Sequence, residues 1–80
     1  MARVRYFAAA EDAAGREEEV RAEATIGDLC SALASDYPAL GAILPRCALL
    51  VGGVRADSLP DDAPIAADAL VDVLPPFAGG

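Results

Sequence analysis

Only one stretch of this chain carries the spacing of a full amphipathic helix, and that limits what the remainder can fold into. Ile26, Leu29, Cys30, Leu33, Ala34 and Tyr37 recur at helical intervals, with Asp28, Ser31 and Asp36 on the opposite side. Thr25-Ile26-Gly27-Asp28 supplies the start, a capping hydroxyl placed three residues ahead of a carboxylate. Pro38 supplies the stop, and Gly41 and Pro45 leave the next segment a loop with at most one helical turn around Leu40 to Leu44. The rest of the core must therefore come from strands, with one helix to cover one face of a sheet.

The strand patterns flank that helix. Arg3 to Ala8 alternates, with Val4, Tyr6 and Ala8 inward and Arg3, Arg5 and Phe7 outward. Ala9 to Ala14 reads as a short helical turn ended by Gly15. Glu18 to Ala24 alternates again, with Val20, Ala22 and Ala24 expected inward. So short a link between the first two strands implies an antiparallel pair. Cys47 to Val51 is a continuous apolar run, expected to be a strand buried on both faces. Gly52-Gly53 fits a two-residue hairpin turn into a short returning strand, Val54 to Ala56. An acidic loop from Leu59 to Asp68 precedes the last strand, Ala69 to Leu74, in which Val71 and Val73 oppose Leu70, Asp72 and Leu74. This order is that of an α+β, ubiquitin-like β-grasp: a mixed sheet covered by one main helix, with the domain spanning residues 1–74 and an extended tail over 75–80.

Composition then removes most kinds of chemistry. The chain has no His and no Trp, and reading along it finds no Lys, Asn or Gln. Without His there is no Ser-His or Cys-His nucleophile, and without Lys no Schiff base or phosphate-binding P-loop lysine. Cys30 and Cys47 are too far apart for a metal or redox motif, so metal ligands are expected to be absent and both thiols reduced, as in a cytoplasmic protein. Thirteen acidic residues against six Arg give a net charge of -7, which repels nucleic acid. That charge would steer the chain toward basic surfaces, with Asp57, Asp61, Asp62 and Asp68 grouped ahead of the last strand. No apolar run is long enough for a membrane span or a signal peptide. An independent enzyme is not expected from this inventory.

What remains is the end of the sequence, Leu74-Pro75-Pro76-Phe77-Ala78-Gly79-Gly80. Two prolines cannot extend a ladder and favour an extended stem. Six residues reach about 20 Å, enough to enter another protein's active site. Gly79 and Gly80 let the backbone pass a narrow channel and leave the Gly80 carboxylate unhindered, which makes that carboxylate the expected reactive group. Phe7 and Leu74, turned away from the core, form with Pro75, Pro76, Phe77 and Ala78 the expected binding surface.

These pieces resemble the MoaD/ThiS family of β-grasp sulfur carriers, of which the small subunit of molybdopterin synthase is one branch. The resemblance covers the whole chain through Val4-Arg5-Tyr6-Phe7-Ala8, the Thr25-Ile26-Gly27-Asp28-Leu29 helix start, Leu50-Val51-Gly52-Gly53 and the Leu74 to Gly80 end. The Pro-Pro-x-x-Gly-Gly ending favours the molybdopterin branch. Two positions depart from the family pattern: Gly52, where Asn is usual, and Ala67-Asp68-Ala69, where a Gly-Asp turn is usual and Asp68 would take the left-handed conformation.

The resemblance implies that the chain itself binds no cofactor. An adenylating enzyme of the ubiquitin-activating type would use ATP and magnesium on the Gly80 carboxylate, and a sulfurtransferase or other persulfide donor would convert it to a thiocarboxylate. The large subunit of molybdopterin synthase, in a heterotetramer, would then use that sulfur on cyclic pyranopterin monophosphate. Two alternatives stay open: a sulfur carrier for thiamine or cysteine formation, and a ubiquitin-like modifier that carries no sulfur.

Overall fold

The structure is a computed structural model that describes residues 1–76. Its sheet has five strands: β1 (Ala2–Tyr6), β2 (Glu18–Arg21), β3 (Ala48–Val51), β4 (Val54–Arg55) and β5 (Leu70–Leu74). Their order across the sheet is β2-β1-β5-β3-β4. β1 and β5 run parallel at the centre, with Val4 opposite Val71 and Tyr6 opposite Val73, and the other pairings are antiparallel. The helices are α1 (Ala9–Ala14), α2 (Ile26–Asp36) and α3 (Pro38–Ile43). This is the β-grasp expected from the element order.

α2 forms where its spacing places it. The Thr25 hydroxyl accepts from the Asp28 amide at 3.1 Å, and Ile26, Leu29 and Leu33 are buried against the sheet. They meet Val4, Val71 and Val73, all fully buried, so one face of the central parallel pair forms the middle of the core. The acidic loop is tied to the start of α2, since Ile26 and Gly27 donate to the carbonyls of Ala63 and Asp61. At the hairpin, Gly52 and Gly53 have φ of 58° and 83°, the pair of positive values that a turn matched to strand twist requires.

Five local expectations change. α3 is a real helix, because Pro38 sits in its first turn, where a missing N–H does no harm, and it buries Leu40. β1 ends at Tyr6, since Ala8 bends the chain with a φ of 49°. β3 is only half-buried along its length, because no helix covers the outer face of the sheet. The turn before β5 is closed by the Ala69 amide donating to the Ala66 carbonyl, and Asp68 does not take a positive φ.

The fifth change is the largest. Val20 faces out and is 54% exposed, while Glu19 and Arg21 turn inward. Pairing of Val4 with Glu19 and of Arg3 with Val20 sets that register. The inner face at this edge is filled by a polar cluster. Tyr6 and Tyr37 both donate their hydroxyls to Oε2 of Glu19, Tyr37 at 2.8 Å. Arg21 grips Glu23 through two hydrogen bonds at 2.9 and 3.1 Å and reaches Asp36, at the end of α2, at 2.9 Å. The cluster fastens an edge strand to the helix where apolar contact runs out.

Burial by itself would raise the Glu19 pKa, but the hydrogen bonds from Tyr6 and Tyr37 together with Arg21 outweigh it and hold the carboxyl below its ordinary 4.5. Glu23 is lowered too, chiefly by its hydrogen bonds to Arg21. Both contributions are complete above the ordinary carboxylate value and are lost as pH falls through the depressed folded-state values. Urea unfolding followed from neutral to acid pH is expected to show stability falling in that window. Glu19→Gln should flatten this acid limb and lower stability at neutral pH by about 1–2 kcal/mol.

Candidate functional site

The helix-free face of the sheet carries the site. Register brings its residues into rows: Arg5 lies opposite Asp72, which in turn lies opposite Leu50, and Leu74 lies opposite Ala48. Arg5 and Asp72 form a two-point ion pair at 2.7 and 3.0 Å. Phe7 follows β1 and stays attached to β5, its amide donating to the Val73 carbonyl at 3.2 Å. The Arg5 guanidinium stacks over the Phe7 ring at 5.5 Å from its centroid, so the ring is propped on the surface at 37% exposure.

Past this ion pair the face becomes apolar. Phe7, Ala8, Ala48, Leu74, Pro75 and Pro76, with Arg46 at the edge, line an open cavity of about 440 Å³. Four of the residues expected from sequence to bind a partner, Phe7, Leu74, Pro75 and Pro76, are thus brought together. Phe77, Ala78, Gly79 and Gly80 lie outside the described residues. Ala8, Arg46 and Ala48 join the site without having been expected there. Ala48 could have been inferred only from the register of β3 on β5. Arg46 gave no signal beyond being a charge ahead of an apolar run.

Ala8 is the one non-glycine with positive φ among the described residues, at φ 49° and ψ -122°. Such a backbone is strained for a residue with a Cβ, and it lies where β1 hands over to α1, beside the Phe7 ring. The bend stops the chain from continuing as a strand and leaves Phe7 at the cavity wall.

Neither thiol belongs to this patch. Cys30 and Cys47 border a second cavity of about 530 Å³ between α2 and β3, which shares Arg46 and Ala48 with the apolar one and has Asp57 and Asp61 in its lining. Burial pushes both thiols up, and the Cys47 thiol donates to the Ile43 carbonyl, so both stay protonated at neutral pH and are weak nucleophiles. Among the described residues no cluster of three or more Cys, Asp or Glu side chains could hold a metal ion, and no helix is long and apolar enough to cross a membrane.

The ThiS family profile matches residues 4–80. The chain belongs to the ThiS family. Solved structures show the same fold. A Haloferax volcanii protein studied in solution is 29% identical with a TM-score of 0.75, over 99% of this chain and 85% of its own. The small archaeal modifier protein 1 of Methanosarcina acetivorans is 22% identical with a TM-score of 0.83, over 99% and 95%. A Pyrococcus furiosus protein described as a molybdopterin converting factor, subunit 1, is 21% identical with a TM-score of 0.79, over 95% and 97%. No curated protein matches by sequence.

For a ThiS family member the apolar patch calls for two measurements. Phe7→Ala removes a ring that packs on the outer face, so thermal unfolding of the free chain should change little, and a loss of folding would place the ring in the core. Ala8→Gly relieves the strained backbone and should stabilise the chain by about 1 kcal/mol in urea unfolding.

Proposed function

We propose that this chain is a sulfur carrier of the molybdopterin-synthase small-subunit type, with the Gly80 carboxylate as its reactive group. The observation that carries the reading is the ThiS family match, which runs through Pro75 and Pro76, at the apolar patch, and on along the sequence to Gly79-Gly80. The patch would hold the body of the carrier on its partner while the residues after Pro76 reach into the partner's active site.

The chemistry follows from the carboxylate. A free carboxylate has no good leaving group, so it needs activation by an adenylating enzyme of the ubiquitin-activating type, using ATP and magnesium. The terminal sulfur of a persulfide donor then displaces AMP to give an acyl disulfide, and a second thiol of the donor cleaves its S–S bond, leaving a disulfide on the donor and releasing the thiocarboxylate. The resulting thiocarboxylate is ionised at neutral pH and acts as the nucleophile in its turn, as thiolates do. In the large subunit of molybdopterin synthase it would deliver sulfur to cyclic pyranopterin monophosphate. Gly79 leaves room for the backbone in the channel. The body contributes binding, and its own thiols, pushed up by burial, do not compete for the activated carbonyl.

A second reading has a specific support. The Methanosarcina acetivorans structure of the same fold is named a small archaeal modifier protein. Used that way, Gly80 would be joined to a Lys of another protein, because this chain has none. Asp57, Asp61, Asp62 and Asp68 are all exposed, and in either use they would favour partners with basic surfaces.

Intact mass separates the two. After incubation with the adenylating enzyme, ATP and a sulfur donor, one oxygen-to-sulfur exchange is expected, whereas Lys-linked adducts on other proteins would replace the carrier with the modifier. Deleting Gly80 should leave a folded chain that cannot take up sulfur, and sulfur transfer by that truncation would overturn both readings of the carboxylate.

A further inference from the structure

Five of the six arginines have a carboxylate partner. Arg3 pairs with Glu18, Arg5 with Asp72, Arg16 with Glu19, Arg21 with Glu19, Glu23 and Asp36, and Arg55 with Asp57. Arg46 pairs with no carboxylate among the described residues, in a chain with thirteen acidic residues to choose from. It is exposed, on a single 3-10 turn, Leu44–Arg46, stiffened by Pro45 and closed by the Cys47 amide donating to the Leu44 carbonyl at 3.0 Å.

Its position gives the unpaired charge a meaning. Arg46 stands at the edge of the apolar cavity that Phe7, Ala48, Leu74 and Pro75 line, and no carboxylate contributes to that lining. On the same face Arg5 and Asp72 neutralise each other, and Asp57 and Asp61, which help line the neighbouring 530 Å³ cavity that Arg46 also borders, form no ion pair with it. On a chain of net charge -7, this patch therefore offers apolar surface and one cation without an ion-pair partner among the described residues. A guanidinium is weakly hydrated and binds a carboxylate through two parallel hydrogen bonds, so it can be covered by a partner at little desolvation cost.

We propose that Arg46 is a recognition residue for the adenylating enzyme. It would receive an Asp or Glu side chain of that enzyme, while an apolar side chain next to the carboxylate fills the cavity bounded by Phe7 and Leu74. The proposal rests on the function proposed above and commits to the adenylating enzyme because the carrier and the modifier both need it. Arg46 sets orientation as well as attraction: a single charge at the root of the tail fixes which way the body is turned when the tail enters.

The test measures binding of the purified full chain to the adenylating enzyme. Arg46→Glu should weaken it by about ten-fold or more, with Arg46→Lys retaining part of the affinity. Arg3→Glu makes the same change in net charge at the far end of β1 from Phe7, outside the lining of both cavities that Arg46 borders, and should shift binding by less than about three-fold. The melting temperature of Arg46→Glu should match the wild type, since no ion pair within the body is broken. Unchanged binding of Arg46→Glu, or an equal loss in Arg3→Glu, would overturn the proposal and leave the function reading intact. Failure of the wild-type chain to bind or to be adenylated would overturn both.

Discussion

The parallel ladder between Ala2–Tyr6 and Leu70–Leu74 is the constraint on which the rest of the molecule depends. It places the first and last strands side by side in the centre of the sheet, and their inward residues, Val4, Tyr6, Val71 and Val73, are the floor on which α2 packs. The same ladder acts on the opposite face. Because successive residues alternate between the two faces, burying the valines necessarily turns Leu70, Asp72 and Leu74 outward next to Arg3, Arg5 and Phe7. The core and the binding patch are two sides of one register, and a slip of one residue would exchange them.

Much of this was legible in the amino-acid sequence, for physical reasons that can be named. α2 declared itself because a capping hydroxyl, a helical apolar stripe and a proline agree on its limits. β5 did so because Val71 and Val73 alternate against Asp72. The hairpin followed from two consecutive glycines. β2 misled, because its only large apolar residue is Val20, and the inward side of an edge strand is normally read from its apolar residues. Tyr6 and Tyr37 bring hydroxyls to that edge that need an acceptor, and only the three-dimensional placement of Tyr37 at the end of α2 shows that Glu19 must face in.

The site was legible to a similar degree. Phe7 and Leu74 could be placed on the outer face by counting along two strands, and Pro75 and Pro76 by their position. Arg46 and Ala48 could not, since they arrive through the pairing of β3 with β5, a contact between segments far apart in the chain. The strain at Ala8 is invisible to any pattern, because alanine is among the least expected residues at a positive φ. Residues that act through long-range register or an unusual backbone leave little trace in local sequence.

The place of β5 in the sheet bears on how the protein is made. β5, flanked by β1 and β3, follows every other element of the sheet in the chain, so the sheet cannot close until all the others have been synthesised. Its contacts are mostly between distant segments, which slows closure and leaves the β5-facing edges of β1 and β3 unpaired in the meantime. A chain interrupted before Leu70 lacks the strand that joins the two halves of the sheet. The stem at Pro75 and Pro76 follows that strand directly, so synthesis itself orders the events: the residues after it are made only once everything needed to fold the domain that carries them has been made.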